Sequence, residues 1–191
     1  IFCIKTNVYG HFEVDENRLN IIIANHKSWF DQEILNTIYP GQSIFLAKKA
    51  YFNMPIVGLG MRLHSHISVE SRRTNYRLYD DIINHMKDVA PNGALFIYPE
   101  GTRNSEHGLL PFKDGAYHIA MKSNANLIPV FIYNCENILK KENSILSIKS
   151  GLVYVYINKP IHINDPRMES SDHLEQWYRE TYYMHLNELI H

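Results

Sequence analysis

The 191-residue chain is long enough to bury the core of one domain, and 45% hydrophobic against 20% charged residues exclude a disordered or low-complexity chain. Its 19 Lys and Arg nearly balance 20 Asp and Glu, and the formal net charge of -1 argues against nucleic acid as a partner. The two cysteines, Cys3 and Cys135, are too few for a disulfide framework. We therefore expect a single domain over residues 1–191.

Short apolar runs alternate along the chain with longer segments of helical periodicity. The runs are rich in Ile, Val, Tyr and Phe, and most are bounded by Asn, Pro or Gly, which predicts strands. The predicted strands are residues 19–25, 43–47, 66–69, 94–98, 127–133 and 151–157. No apolar stretch approaches the roughly 18 residues that cross a bilayer.

Three amphipathic stripes predict helices that pack against the strands. The first follows Thr74 and ends before Pro91, the second runs from Phe112 to Ala120, and the third covers the C-terminal segment from Leu174 to Leu189. The alternation predicts an α/β fold with a mixed, mostly parallel sheet flanked by helices.

The first polar segment of interest follows the apolar run 21–24. Ligand groups in α/β sheets gather at the carboxyl ends of strands, and His26 is placed there. Ser28 is a candidate N-cap with Asp31 at the third helical position, from which the carboxylate can reach the imidazole. Such a pair suits general base chemistry, because the carboxylate fixes the tautomer and stabilises the imidazolium. The alternative is that Asp31 only caps the helix and His26 is a polar turn residue.

The second polar segment, residues 98–104, also follows a predicted strand. Gly101 allows backbone N–H groups to approach an anion, and Arg103 offers a two-pronged donor for phosphate. Lys113 adds a cation near the start of the next predicted helix. These residues predict a phosphate site, and the alternative is a solvated turn with a surface arginine.

Four motifs resemble those of the glycerolipid acyltransferases, above all the 1-acyl-glycerol-3-phosphate acyltransferases. In the family's order they are NHx4D at Asn25, His26 and Asp31, PEGTR at residues 99–103, FKxGA at residues 112–116 and an apolar IPV block at residues 127–130. The resemblance covers about residues 7–163. It implies that His26 is the general base and Asp31 its orienting partner. It also implies an acceptor site built from Glu100, Gly101, Thr102, Arg103, Lys113 and an arginine of the pair Arg72 and Arg73, with Arg73 preferred.

The resemblance implies transfer of a fatty acyl group from a thioester, acyl coenzyme A or acyl-acyl carrier protein, to the free hydroxyl of a lysophospholipid. The leading acceptor is 1-acyl-glycerol-3-phosphate, which would give phosphatidic acid. No cofactor or metal is expected. The chain lacks a G-x-S-x-G elbow and a catalytic cysteine setting, so direct attack by the acceptor hydroxyl is the simplest route.

An amphiphilic acceptor implies a membrane surface as partner and a membrane-associated protein, on the cytoplasmic face. Family members usually begin with membrane-embedding helices, so the resemblance implies such a segment upstream of the domain. Candidate contacts follow Lys48 and Lys49 in the apolar run Tyr51, Phe52, Met54, Pro55, Ile56 and Val57. The alternative is that Ile56, Val57 and Leu59 belong to the core.

Two other classes of function stay open from the sequence. A metal-dependent hydrolase would use His26, Asp31 and either His64 or His66 as ligands, although no HExxH motif is present. A non-catalytic lipid-binding module would keep the fold and the motifs without the reaction.

Overall fold

A computed structural model describes residues 3–69, 76–104, 108–139 and 147–190. Within these ranges, seven strands form one sheet in the order β1-β7-β6-β2-β5-β3-β4. The strands are β1 (Ile4–Tyr9), β2 (Asn20–Ala24), β3 (Ser43–Lys48), β4 (Ile67–Val69), β5 (Ala94–Ile97), β6 (Asn126–Tyr133) and β7 (Gly151–Ile157). All neighbours run parallel except β6 and β7, which are antiparallel.

Helices connect these strands and cover both faces of the sheet. They are α1 (Phe30–Ile38), α2 (Lys49–Phe52), α3 (Pro55–Leu63), α4 (Tyr76–Val89), α5 (Gly115–Ser123), α6 (Cys135–Ile138) and α7 (Ser171–Ile190). Among the described residues, no helix is both long enough and apolar enough to cross a bilayer.

The central strand β2 shows how the core is divided between the two faces. Ile21 and Ile23 point into a cluster with α4, α5 and α7, whereas Ile22 and Ala24 point into a cluster with α1 and α6. All four side chains are almost fully buried. A parallel sheet covered on both faces produces continuous apolar strands of this kind, because neither face can be polar.

The predicted fold class is confirmed, and so is the mostly parallel sheet flanked by helices. Each of the six predicted strands is present, with ends within one residue of the expected bounds. The three predicted helices correspond to α4, α5 and α7, although Phe112 lies before α5 and the expected cap Thr74 lies outside the described residues. The edge strand β1 and the helix α3 were not predicted.

The predicted membrane-contact run is divided between the core and the surface. Phe52 is buried, with 8% of its surface exposed, so its candidacy as a contact is wrong. Ile56 is 88% exposed, and Val57 and Leu59 are also exposed. The alternative that these three residues belong to the core is therefore wrong as well.

The packing of α3 against α2 depends on one glycine. Gly58 is buried, and a Cβ atom built on it would lie 2.1 Å from the carbonyl oxygen of Phe52 in α2. A Cβ atom on Gly60, two residues further along the same helix, would meet nothing within 4 Å. The backbones of α2 and α3 thus approach each other closely only because position 58 lacks a side chain.

We expect Gly58→Ala to lower the free energy of unfolding by about 1–3 kcal/mol, because the added methyl group overlaps backbone that cannot rotate away. Gly60→Ala is the matched control and should be neutral or stabilising by up to about 1 kcal/mol, since alanine favours a helix over glycine. Urea denaturation of both variants measures the difference, and equal stabilities would contradict the close packing of α2 and α3.

Candidate active site

The candidate site lies where the adjacent parallel strands β2 and β5 end together. Ile23 is paired with Ile97, so the residues that follow the two strands emerge at the same edge of the sheet. Asn25 fixes this point: its Nδ2 donates to the carbonyl of Ile132 at 2.7 Å, and the backbone N–H of Ile132 donates to its Oδ1 at 2.8 Å. Both backbone groups of Ile132 are satisfied, and the chain is directed out of the sheet at His26.

The predicted contact between His26 and Asp31 is present. One carboxylate oxygen of Asp31 accepts three hydrogen bonds, from Nδ1 of His26 at 2.8 Å and from the backbone N–H groups of Lys27 at 2.7 Å and Ser28 at 2.8 Å. The Asp31 side chain is fully buried, while that of His26 is 16% exposed. With Nδ1 donating to the carboxylate, Nε2 is the ring nitrogen available to a ligand.

The cap of α1 differs from the sequence prediction by one residue. Trp29 occupies the N-cap position, so Asp31 is the second helical residue and Ser28 precedes the cap. Ser28 Oγ still accepts a hydrogen bond from the backbone N–H of Phe30 at 3.2 Å. Asp31 binds the N–H groups of the preceding turn, which places its carboxylate against the imidazole.

Tyr98 stacks on the imidazole of His26, a contact that the sequence analysis did not predict. The ring centroids are 4.0 Å apart and the planes are inclined by 14°. Burial, with a smaller contribution from the Asp31 charge, raises the pKa of Tyr98 well above its ordinary value, so the ring is neutral. The imidazole is thus held by Asp31 at one edge and by Tyr98 on one face.

Glu100 ties the two polar segments together rather than facing the cavity. Its Oε1 accepts from the backbone N–H of His26 at 2.9 Å, and its Oε2 accepts from that of Leu110 at 2.7 Å. The carbonyl of His26 in turn accepts from the N–H of Asn104 at 2.8 Å. Burial raises the pKa of Glu100, although the two N–H donors and the charge of Lys27 oppose the shift. Glu100 therefore does not line the cavity, as a direct role in the acceptor site would require. It supports the site indirectly, by holding the loops.

Lys27 is a buried cation that the sequence analysis missed. Only 2% of its surface is exposed, and its Nζ donates to the carbonyl of Gly108. Burial lowers the pKa of Lys27, while the carboxylates of Glu100, Glu136 and Asp31 oppose the shift. A lysine in a polar turn is usually exposed, so composition alone could not identify this one.

A cavity of about 390 Å³ opens in front of His26. The predicted site residues that line it are His26, Gly101, Thr102, Arg103 and Lys113. An apolar wall of the same cavity is formed by Leu46, Ala47, Met61, Val69 and Ile97. Asp31 and Glu100 lie behind this lining, and both Arg72 and the preferred Arg73 lie outside the described residues.

The cations of this cavity are held in place by their neighbours. The Arg103 guanidinium lies 4.0 Å from the ring centroid of Trp29, and its buried Nη1 has no hydrogen-bond partner among the described residues. Gly101 has a φ of 66°, a backbone conformation that favours glycine, and a Cβ there would lie 2.7 Å from Nζ of Lys113. Among the described residues that line the cavity are the cations Lys48, Arg103 and Lys113 and no carboxylate, a lining that favours an anionic ligand.

The ligands suggested for a metal-dependent hydrolase do not come together. In the described part of the chain, no group of three or more His, Cys, Asp or Glu side chains is placed to hold a metal ion. Nδ1 of His66 instead accepts a hydrogen bond from the backbone N–H of Phe45 at 3.3 Å.

Comparison with known proteins places the chain among acyltransferases. The family described as Acyltransferase matches residues 5–133. The 1-acyl-sn-glycerol-3-phosphate acyltransferase of Saccharomyces cerevisiae is 33% identical over 144 residues, which cover 74% of this chain and 46% of that protein. The 1-acyl-sn-glycerol-3-phosphate acyltransferase alpha of Homo sapiens is 27% identical over 167 residues, covering 84% of this chain and 56% of that protein. The chain spans about half the length of these relatives.

The fold is also that of a solved acyltransferase. The crystal structure of the 1-acyl-sn-glycerophosphate acyltransferase PlsC from Thermotoga maritima superimposes with a TM-score of 0.77 at 24% identity. The match covers 97% of this chain and 72% of that one.

We expect Glu100→Gln to lower the free energy of unfolding by about 1–3 kcal/mol, because the amide has one acceptor oxygen and leaves either His26 or Leu110 with an unpaired, partly buried N–H. Glu33→Gln, on the exposed surface of α1, is the matched control and should change stability by less than about 0.5 kcal/mol. Chemical denaturation tests the pair. A Glu100→Gln variant as stable as the control would mean that the carboxylate is not the tie between the two segments.

Proposed function

The chain belongs to the acyltransferase family, and we propose that it transfers a fatty acyl group from a thioester to the free hydroxyl of a lysophospholipid. The preferred acceptor is 1-acyl-glycerol-3-phosphate, which becomes phosphatidic acid. The observation that carries this proposal is the 2.8 Å contact between His26 and the buried Asp31 at a cavity whose charged lining is cationic. A non-catalytic lipid-binding module would need the cations but not an imidazole oriented by a buried carboxylate.

In the proposed reaction, His26 acts as a general base on the acceptor. Nε2 takes the proton of the acceptor hydroxyl while the oxygen attacks the thioester carbonyl carbon. Asp31 stabilises the imidazolium that forms and keeps Nδ1 as the donor. As the new C–O bond is retained and the C–S bond breaks, the imidazolium returns the proton to the thiolate.

An acyl-enzyme on cysteine has little support in this geometry. Cys135 is fully buried next to Asp31, and burial raises the pKa of its thiol far above the ordinary value, so the thiolate needed for attack is scarce. Cys3 is exposed immediately before β1. Direct transfer between the two substrates remains the simplest route.

The phosphate of the acceptor is proposed to bind Arg103 and Lys113. Both side chains line the cavity together with His26, and Nη1 of Arg103 is a buried donor that a phosphate oxygen would satisfy. Trp29 stacks on the guanidinium and holds its plane, which reduces the entropy lost on binding. A singly acylated glycerol phosphate carries both a phosphate, which would bind Arg103 and Lys113, and a free hydroxyl, which would give its proton to His26.

The donor is proposed to be an acyl thioester of coenzyme A or of acyl carrier protein, with no metal or organic cofactor. The apolar wall of the cavity, which includes Leu46, Met61 and Val69, suits a hydrocarbon chain. Because acceptor and product are amphiphilic, the protein is proposed to act at a membrane surface, on the cytoplasmic face.

Replacing the base tests the proposal directly. We expect His26→Ala to lower kcat for transfer from labelled acyl coenzyme A to 1-acyl-glycerol-3-phosphate by about 10² to 10⁴. Asp31→Asn should also lower kcat strongly, since it keeps the shape of the side chain but removes the charge that stabilises the imidazolium. His11→Ala, at an exposed position, is the control and should match wild type. A His26→Ala variant with a native circular dichroism spectrum and more than about a tenth of wild-type kcat would contradict the role of His26.

Arg103→Ala tests the acceptor site separately from the chemistry. Loss of a charged hydrogen bond of about 1.5–3 kcal/mol should raise KM for the lysophospholipid about 10- to 200-fold, with a much smaller effect on KM for the donor. Arg77→Ala on the exposed surface of α4 is the matched control. An increase confined to KM for the donor would assign Arg103 to the phosphates of coenzyme A instead.

A further inference from the structure

The helix α3 presents an apolar face to solvent instead of to the core. We call this face the α3 surface and define it by five exposed side chains: Met54 (47% exposed), Ile56 (88%), Val57 (39%), Leu59 (57%) and Leu63 (74%). Ile56, Leu59 and Leu63 follow one another at spacings of three and four residues, so they form a continuous stripe along the helix. An ordinary surface helix buries such a stripe, and this one does not.

Packing against α2 fixes the orientation of α3. Gly58 is the buried residue of the helix, and its close approach to the Phe52 carbonyl fixes which side faces α2. Arg62 strengthens the same contact by donating from its guanidinium to the carbonyl of Phe52 at 2.7 Å. This contact with α2 therefore keeps the apolar stripe on the outward side of α3.

Within residues 48–69, the segment that carries the α3 surface, the charged side chains have one sign. Residues 48–69 contain no Asp or Glu but include Lys48, Lys49 and Arg62, all of which are exposed. The chain as a whole has a net charge of only -1, so this cationic rim is a local feature. An apolar stripe in a segment that carries cations and no carboxylate complements a bilayer with anionic headgroups, because acyl chains can meet the stripe and phosphates can meet the cations.

The same segment forms part of the candidate active site. Lys48, Tyr51 and Met61 line the cavity, so the helices that carry the α3 surface also form the cavity wall. A lipid at this surface would lie beside the cavity without leaving the membrane. The arrangement fits an acceptor whose hydrocarbon chain is costly to expose to water.

A second copy of the chain fits the α3 surface less well. A two-fold symmetric contact through this face would bring the cationic rims of both copies together with no carboxylate in residues 48–69 to balance them. An anionic bilayer provides the opposite charge and the apolar interior at once.

We propose that the α3 surface inserts into the headgroup layer of an anionic bilayer and sets the cavity against the lipid that supplies its acceptor. The proposal rests on the proposed function for the identity of that acceptor. The contact itself depends only on the exposed side chains and the cationic rim.

Flotation with vesicles tests the contact. The wild-type chain should bind vesicles of phosphatidylcholine mixed with phosphatidylglycerol more tightly than vesicles of phosphatidylcholine alone. Ile56→Ser combined with Leu59→Ser should lower the partition coefficient about ten-fold or more. The matched control, Met184→Ser combined with Ile190→Ser, removes two exposed apolar side chains from α7 and should bind like wild type. Lys49→Glu should weaken binding about five-fold or more, and Lys87→Glu on α4 should not.

Activity measurements separate this proposal from the proposed function. The Ile56→Ser and Leu59→Ser double variant should keep wild-type turnover with a short-chain, water-soluble lysophospholipid and lose it with an acceptor embedded in vesicles. Wild type that ignores anionic vesicles, or a double variant that binds them unchanged, would overturn the proposal. A wild-type dimer that the double variant converts to a monomer in analytical ultracentrifugation, with vesicle binding unchanged, would assign the surface to a second copy. Loss of vesicle binding in the double variant, with no transfer by wild type to the soluble acceptor, would support the surface and refute the proposed function.

Discussion

The buried carboxylate of Asp31 is the interaction on which the geometry of the site depends. A carboxylate with no exposed surface costs several kcal/mol in lost hydration unless donors replace water. Here one of its oxygens receives three hydrogens, and its position in the first turn of α1 adds the favourable end of the helix dipole. Two of the donors are the backbone N–H groups of Lys27 and Ser28, so the turn adopts a shape that wraps the carboxylate. The third is the imidazole of His26, which is thereby fixed.

This constraint extends to the second polar segment through the backbone of His26. Its N–H is bound by Glu100 and its carbonyl by Asn104, so the loop after β5 is positioned relative to the loop after β2 by bonds at one residue. Asp31 and Glu100 lie behind the residues that line the cavity, whereas Arg103 and Lys113 line it. The negative charges therefore lie behind the cavity, where they organise the loops. The positive charges line the cavity, where a ligand can reach them.

Strands that are buried on both faces of the sheet were predicted from the sequence. Two elements that are partly exposed, β1 and α3, were missed. The inner strands were located to within one residue because a sheet covered on both faces leaves continuous apolar runs. The edge strand β1 was missed because Lys5 and Asn7 interrupt its pattern, and its residues from Asn7 onward are exposed. The helix α3 was missed because it holds two glycines and a single charged residue, Arg62, so no polar face marks it as a helix, although Pro55 at the first helical position is a start signal that could have indicated it.

Within the site, the sequence identified which residues come together but not the direction in which each side chain points. The pair of His26 and Asp31 followed from the end of a strand and a helix start, which are local features. The turn of Glu100 away from the cavity, and the burial of Lys27, depend on the N–H of Leu110 and the carbonyl of Gly108. Leu110 lies 10 residues from Glu100 and Gly108 lies 81 residues from Lys27, and a single sequence does not specify such contacts.

The balance of forces at the α3 surface follows from the near-neutral charge of the whole chain. With a net charge of -1 there is no long-range field to draw the protein to an anionic membrane, so attraction must arise within a Debye length of the contact. Cations near such a surface contribute about 1 kcal/mol each, and in the described segment 48–69 Lys48, Lys49 and Arg62 are exposed. Ile56 and its neighbours add apolar burial that salt does not screen. Binding built from a few short-range contributions is reversible, and reversibility suits a site that must release a lipid product into the membrane from which it took the acceptor.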